Sequence, residues 1–445
     1  MTETLQAKFL KASNNLKLSP LSEPKDVKRF GVDYDTTTLS ELKLFIENNS
    51  TNNKIILSGH TGCGKSTLLA NLAEDCQKQF FVSLFSISDT IENSDVNYVN
   101  ILFCIGLKLL ESAERNNLGI SPSIKEDLVS WFAKKTKTQL EQARAETGVG
   151  VSLLEWLFLK LKTDVTFRTE IKNEYTPKIS ELVTKLNEIT AIIETVSNKR
   201  VLVIIDDIDK LKTEIIDDTF SRHIKSLFLP NFCVIYTLPI TTLHDGNILP
   251  TLQTETNDNI VKMRVMKIYN KGETRKEKKE RVPKEENLKK LKEILRLRLD
   301  LDRESYLANP NSESELIDEE AITQAVLYSG GVLRELIRIA NECCRVCLLD
   351  LRQTPDKVVK IDLDIVETAV NNLRIQAART LGKDRYKILQ QIYKNYAPDD
   401  PQDPDFFVLL KGLAVIEYRD KREWFDLHPI VFDLLREWEN TYENS

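Results

Sequence analysis

The stretch Ile55–Leu72 reads IILSGHTGCGKSTLLANL. Within it, Gly59, His60, Thr61, Gly62, Cys63, Gly64, Lys65 and Ser66 fit the pattern G-x-x-x-x-G-K-[ST], and Thr67 follows. Each residue type has a chemical reason. Glycines let backbone N–H groups turn inward around phosphate oxygens where a Cβ would clash. The helix that follows offers its positive N-terminal end to the anion. The Lys65 ammonium suits the β- and γ-phosphates, and the Ser66 hydroxyl suits Mg²⁺. The implied ligand is ATP or a related nucleoside triphosphate; the loop does not encode the base.

A second cluster is acidic. Val201–Ile205 is an unbroken run of β-formers that ends in Asp206-Asp207-Ile208-Asp209. Such a run reads as a strand of a parallel sheet buried on both faces. Carboxylates at its C-terminal end lie where α/β sheets hold ligands. Asp206 suits Mg²⁺, directly or through water, and Asp207 suits activation of a water. A further run, FCVIYTLPI, carries Thr237 near its end. That hydroxyl is placed to reach a γ-phosphate or the attacking water, or it is an ordinary strand-end threonine.

These groups need elements to hold them. KIILSG reads as a buried strand and KSTLLANLAEDCQ as a helix. FFVSLFSIS, Phe80 to Ser88, reads as the second strand. Roughly a hundred largely helical residues then precede the Val201 run. In TPKISELVTKLNEITAIIETV the apolar positions Ile179, Leu182, Val183, Leu186, Ile189, Ile193 and Val196 keep helical spacing. Thr176 is the expected cap and Pro177 the first turn. SLLEWLFLKLKTDVTFRTEI is another helical candidate. The whole stretch is too long for one crossover. It reads as an insertion, there for packing or as a partner-binding surface.

Further along, KGETRKEKKERVPKEE is mixed in charge and aperiodic, which predicts a mobile loop or a phosphate-contacting one. In YSGGVLRELIRIANECC, Gly330-Gly331 opens a helix that carries Arg334 one turn in. Arg334 either reaches a phosphate or is a surface arginine. AVIEY and EWFDL flank the turn RDKR, and a helix follows, the pattern of a winged-helix domain.

Composition narrows the class. The 445 residues carry a net charge of −6 and are 41% apolar, typical of a globular protein and unlike a general nucleic-acid coat. No apolar run is long enough to span a bilayer, and the first residues are too polar for a secretory signal. The expectation is cytoplasmic, with no membrane partner. The seven cysteines are scattered, as suits free thiols in a reducing compartment. Cys343, Cys344 and Cys347 read as small buried residues of a helix, and a zinc site is the alternative.

The ordered set GHTGCGKST, VLVIIDDIDKL, VIYTLP, SGGVLREL and WFDLHPIV resembles the AAA+/STAND-type P-loop ATPases. It is similar to bacterial relatives of origin-recognition ATPases and of NLR-like switch ATPases. The resemblance spans about residues 30 to 440. It implies an α/β fold: a P-loop parallel sheet with a large helical insertion, then a helical lid and a winged helix. The domains expected are an N-terminal segment and helix over 1–52, an ATPase core over 53–285 with the insertion at about 105–198, a lid over 286–375 and a winged helix over 376–445. Lys65 and Ser66 match the Walker A pair, Asp206 and Asp207 Walker B, Thr237 sensor 1 and Arg334 sensor 2. His428 in LHP falls where NLR-like ATPases set a histidine against the ADP β-phosphate, latching a resting state. Two departures stand out. Asp207 replaces a common glutamate, which implies slow hydrolysis, and no arginine finger is assigned, Arg222 being a candidate.

Two functions follow from the resemblance. One is a switch, driven by exchange of ADP for ATP, that assembles with itself or with a separate effector protein. Such proteins often serve prokaryotic antiviral defence. The other is a DNA-binding AAA+ ATPase of the origin-recognition or transposition-regulator kind. The tail from Arg374 to Ser445 carries eleven Lys/Arg against thirteen Asp/Glu, so it is not basic overall. There the winged helix reads more as a packing module than as a DNA reader.

Overall fold

The computed structural model describes residues 4–21, 24–47, 52–134, 152–299, 303–309, 313–354 and 357–442. Of the expected insertion, residues 135–151 lie outside the described residues. The chain divides into two compact units. One comprises Thr37–Ser58 and Leu68–Lys262; the other comprises Met1–Thr36, Gly59–Thr67 and Met263–Ser445.

The first unit is built on a sheet of β1 (Lys54–Gly59), β2 (Phe80–Ser86), β3 (Arg200–Asp206), β4 (Cys233–Pro239) and β5 (Ile260–Met263), in the order β2-β3-β4-β1-β5. β2, β3 and β4 run parallel, with Ser86 level with Asp206 and Ile205 level with Tyr236. Val201–Ile205 is fully buried, as an apolar run flanked on both faces must be. The helix Tyr98–Arg115 is buried throughout Tyr98–Leu107, and Lys108, Glu111, Ser112 and Arg115 form a polar stripe on its second half. Its Phe103 meets Phe132 edge-on at 4.9 Å, and Leu186, Ile189 and Ile193 of the helix Ile179–Ser197 belong to the same core.

Two helical expectations shift here. The helix expected to start at Thr176-Pro177 starts at Ile179, and Thr176 instead closes the preceding helix, Val165–Tyr175. The candidate SLLEWLFLKLKTDVTFRTEI is two helices. The chain breaks at Asp164, whose carboxylate caps the second by accepting from Phe167 N at 3.1 Å. Arg168, buried, ties the break down through Asp95 and the carbonyls of Leu161 and Lys162.

The second unit is helical except for one hairpin. The helix Leu333–Gln353 packs its apolar face among Leu295, Ile322, Val366 and Val370. It begins with Leu333, so Arg334 is its second residue and not a full turn in. Cys343, Cys344 and Cys347 lie on it, buried and free. All three are core residues of the helix, and burial pushes the Cys347 thiol up to about 12. β6 (Val415–Arg419) and β7 (Glu423–Leu427) pair antiparallel, and the helix Pro429–Tyr442 follows. The mixed-charge segment is anchored, contrary to the mobile-loop expectation. Arg275 sits between the rings of Tyr393 and Tyr396, donates to Tyr393 O at 2.7 Å and pairs with Asp426 at 2.8 Å.

Candidate nucleotide and metal site

Gly62 and Gly64 hold φ of +84° and +107°, values a side chain resists. Space excludes one as well. A Cβ on Gly62 would lie 2.4 Å from Arg334 Cβ, and one on Gly64 would lie 1.8 Å from the Tyr34 hydroxyl. The loop is therefore closely covered by its own unit.

Three hydrogen bonds do the covering. Arg334 N donates to Gly62 O at 3.0 Å, and the Tyr34 hydroxyl donates to Gly64 O at 3.0 Å. Glu417 N, in β6, donates to His60 Nε2 at 2.8 Å. His60 is buried, and as an acceptor at Nε2 it carries its proton on Nδ1. Leu21 N adds a bond to the Thr67 hydroxyl at 3.1 Å. Lys65 is buried, and its ammonium donates to the carbonyls of Gly59 and His60, both at 3.0 Å. Cys63 is buried; Thr61, Gly62, Gly64, Ser66 and Thr67 are half-buried.

The acidic cluster belongs to the other unit. Carboxylate oxygens of Asp206, Asp207 and Asp209 lie within 4.8 Å of one another. Hard oxygen ligands at that spacing suit a divalent cation such as Mg²⁺. The turn is internally braced. Asp206 Oδ1 accepts from Asp207 N at 2.8 Å, and Asp207 stands at φ +68°. Asp207 Oδ2 accepts from the Ser86 hydroxyl at 2.7 Å, and its Oδ1 faces Lys210 Nζ at 2.5 Å. Both oxygens of the expected water-activating group are thus engaged.

Thr237 is fully buried. Its hydroxyl accepts from Ile208 N at 3.3 Å and donates to Ile205 O at 3.4 Å. The hydroxyl expected at a phosphate or a water is spent on backbone groups either side of the carboxylates. Arg222 is exposed and pairs with Asp217 at 3.0 Å.

His428 is buried, and its Nδ1 accepts from Ile430 N at 3.2 Å. Burial lowers its pKa; Glu335 opposes that shift and Arg338 adds to it. With Glu335, Arg338 and Gln376 it lines a cleft of about 660 Å³ including open solvent. None of these described contacts is with a loop residue. The structure brings Arg334 to the loop through its backbone N. The histidine that joins the loop to the hairpin is His60, which the sequence reading assigned to phosphate binding alone. Nothing in the pattern G-x-x-x-x-G-K-S marks its second residue as a tie to a strand more than 350 positions on. Tyr34, too, carries no signal in the sequence that marks it as a partner of the loop.

The strand order, the glycine loop and the acidic strand end define a P-loop NTPase domain in an α/β fold. Residues 37–236 match the profile of the KAP family P-loop domain. No curated protein matches the chain. Among solved structures, it is similar to that titled as the crystal structure of Cdc6p from Pyrobaculum aerophilum. The identity is 12% and the TM-score 0.39, over 95% of this chain and 97% of that one. Among the described residues no helix is long and apolar enough to cross a membrane.

Proposed function

We propose that this protein binds and slowly hydrolyses ATP, and that exchange of ADP for ATP switches its assembly with itself or with a separate effector. One observation carries the reading. The loop that fits a triphosphate is bonded directly to the Leu333 helix, to β6 and to Tyr34. Phosphate arriving at the loop must compete with or reshape those bonds, so nucleotide state biases the C-terminal segments.

In this reading Lys65 leaves the Gly59 and His60 carbonyls for the β- and γ-phosphates. Ser66 and Asp206 would hold Mg²⁺, which neutralises charge on the phosphates. Asp207 orients the water that attacks the γ-phosphorus, giving ADP and inorganic phosphate. To do so it must exchange its contacts with Ser86 and Lys210, which supports slow turnover. Arg334 and His428 stand as nucleotide sensors, on a helical lid over 286–375 and a winged helix over 376–445. Prokaryotic antiviral defence in the cytoplasm is the setting that the resemblance supports.

A second reading has its own observation. At the hairpin tip Arg419, Lys421 and Arg422 are exposed, while Asp420 turns back to Lys267 and to Trp424 Nε1. This leaves a basic tip on a tail that is acidic overall, as a DNA-contacting wing requires.

Native mass measured with ADP, with ATP, and with ATP on Asp207→Asn separates the two. The switch predicts retained ADP on a small species and a larger assembly with ATP, trapped by Asp207→Asn. A mass indifferent to nucleotide, together with DNA binding that falls steeply with salt, would replace it with the DNA-bound reading.

A further inference from the structure

A cleft with no part in the nucleotide reading lies within the helical unit. Its empty space, counting the part open to solvent, is about 970 Å³. Three stretches of chain wall it: the mixed-charge segment, the helix Glu319–Tyr328 with Gly330, and the hairpin with the first turns of the last helix.

The lining has two characters. Tyr269, Tyr328, Trp424 and Phe432 supply aromatic faces. Arg275, Lys278 and Arg281 supply cations. Two carboxylates, Asp426 and Asp433, also line it, but both are spent. Asp426 accepts from Arg275 and Thr274, and Asp433 pairs with Arg374. Lys278 is exposed, and Arg281 donates its Nε to the Lys276 carbonyl at 3.0 Å. Neither has an ion pair among the described residues; Lys278 acts electrostatically on Glu367, which is itself bonded to Arg374 and Tyr328. In addition, Arg275 Nη2 is buried with no hydrogen-bond partner among the described residues, and a buried guanidinium donor calls for an acceptor.

We infer that this cleft is a binding site for a small planar aromatic anion, a ring bearing a phosphate or a comparable group. The aromatic walls take the ring, and Lys278 and Arg281 take the anion with charge-assisted hydrogen bonds. The site is separate from the glycine loop. No residue of that loop is among those that line it.

The test uses the full chain and 1-naphthyl phosphate as probe, with neutral 1-naphthol as control, both followed by titration calorimetry. Wild type and Lys65→Ala should bind the phosphate alike, and 1-naphthol should bind at least tenfold more weakly. The double variant Lys278→Glu, Arg281→Glu should lose at least tenfold in affinity. Gln324→Trp, which fills the cleft and keeps its charges, should abolish binding; an unchanged thermal midpoint in either variant shows that the fold is intact. The proposal is overturned if wild type fails to bind the probe, if charge reversal and filling leave affinity unchanged, or if Lys65→Ala alone removes binding. The last result would place the probe in the glycine loop.

Discussion

The glycine loop and the acidic turn are held in opposite ways. The loop is held by segments outside the sheet: Tyr34, Arg334 and Glu417 reach it from three other segments of its unit. The acidic turn is held by its neighbours in the sheet: Ser86 level with Asp206 on β2, Thr237 on β4 and Lys210 within the turn itself. A part secured through distant segments is one whose state those segments can sense. A part secured by a sheet keeps its geometry more readily than one secured by other segments. Under the proposed function, sensing falls to the loop, the phosphate half, and constancy to the acidic turn, the metal half.

The strongest way to break this comparison is to remove the chemistry from each half. Lys65→Ala and Asp206→Asn should each lower ATP turnover by roughly a hundredfold or more, because each deletes a charge that the transferring phosphoryl group or its metal relies on. They should then part company. Lys65→Ala should also empty the purified protein of nucleotide, whereas Asp206→Asn should retain ADP and lose the dependence on Mg²⁺. Nucleotide released on denaturation, with turnover of the same samples, reads both. Retention of ADP by Lys65→Ala would show that the loop is not the phosphate site.

A smaller effect tests the covering of the loop. Gly64→Ala combines a left-handed backbone with a clash against Tyr34, so it should cost about 1–3 kcal/mol and impair nucleotide retention. Tyr34→Phe removes only the hydroxyl bond to Gly64 O and should cost about 1 kcal/mol. In Gly64→Ala combined with Tyr34→Phe, the clash with the hydroxyl oxygen is gone and the backbone strain remains. Chemical denaturation should therefore find a loss smaller than the sum of the two single losses. Strict additivity would mean that Tyr34 does not cover the loop in solution.

What the sequence made legible follows the same division. The metal half could be read because its signals are local: an apolar run followed by Asp206-Asp207, and the β-formers before Thr237. The phosphate half could be read as chemistry but not as packing. The pattern names Lys65 and Ser66, yet the partners of His60 and Gly64 sit in distant segments joined only by tertiary folding. Arg334 was found because a glycine pair precedes it. The break at Asp164 was missed because apolar spacing continues through it, and only its cap and Arg168 reveal two helices. The mixed-charge segment was misjudged because charge count ignores burial: Arg275 is placed by two tyrosine rings and Asp426.

Thr237 sharpens the constancy of the metal half. Thr237→Val keeps the shape and leaves the buried Ile208 N–H without its acceptor, a cost of about 1–3 kcal/mol. If the hydroxyl only positions the carboxylates, Mg²⁺ affinity should weaken while nucleotide retention stays as in the wild type. A loss confined to the hydrolytic step, with Mg²⁺ affinity and stability unchanged, would return Thr237 to the role of a phosphate or water contact.

The smallest effect concerns His428, the residue that the resemblance sets against a phosphate. It is buried, and burial lowers its pKa below the usual imidazole value. The unfolded chain therefore takes up a proton as pH falls through about 6.5, while folded His428 stays neutral until lower pH. Its contribution to stability is fully present above that value and is lost below it, by at most about 1.4 kcal/mol per pH unit for one proton. Glu335 and Arg338, the charges facing it, act in opposite senses and leave desolvation in control. Thermal midpoints of wild type and His428→Gln should thus converge between pH 7.5 and 5.5, the wild type losing more. Saturating ADP sharpens the measurement. A histidine that packs only against Ile430 and the Leu333 helix keeps the same pH slope with ADP bound. One that donates to a phosphate has its pKa raised by the anion, and the slope flattens, because the proton then binds the folded state as well.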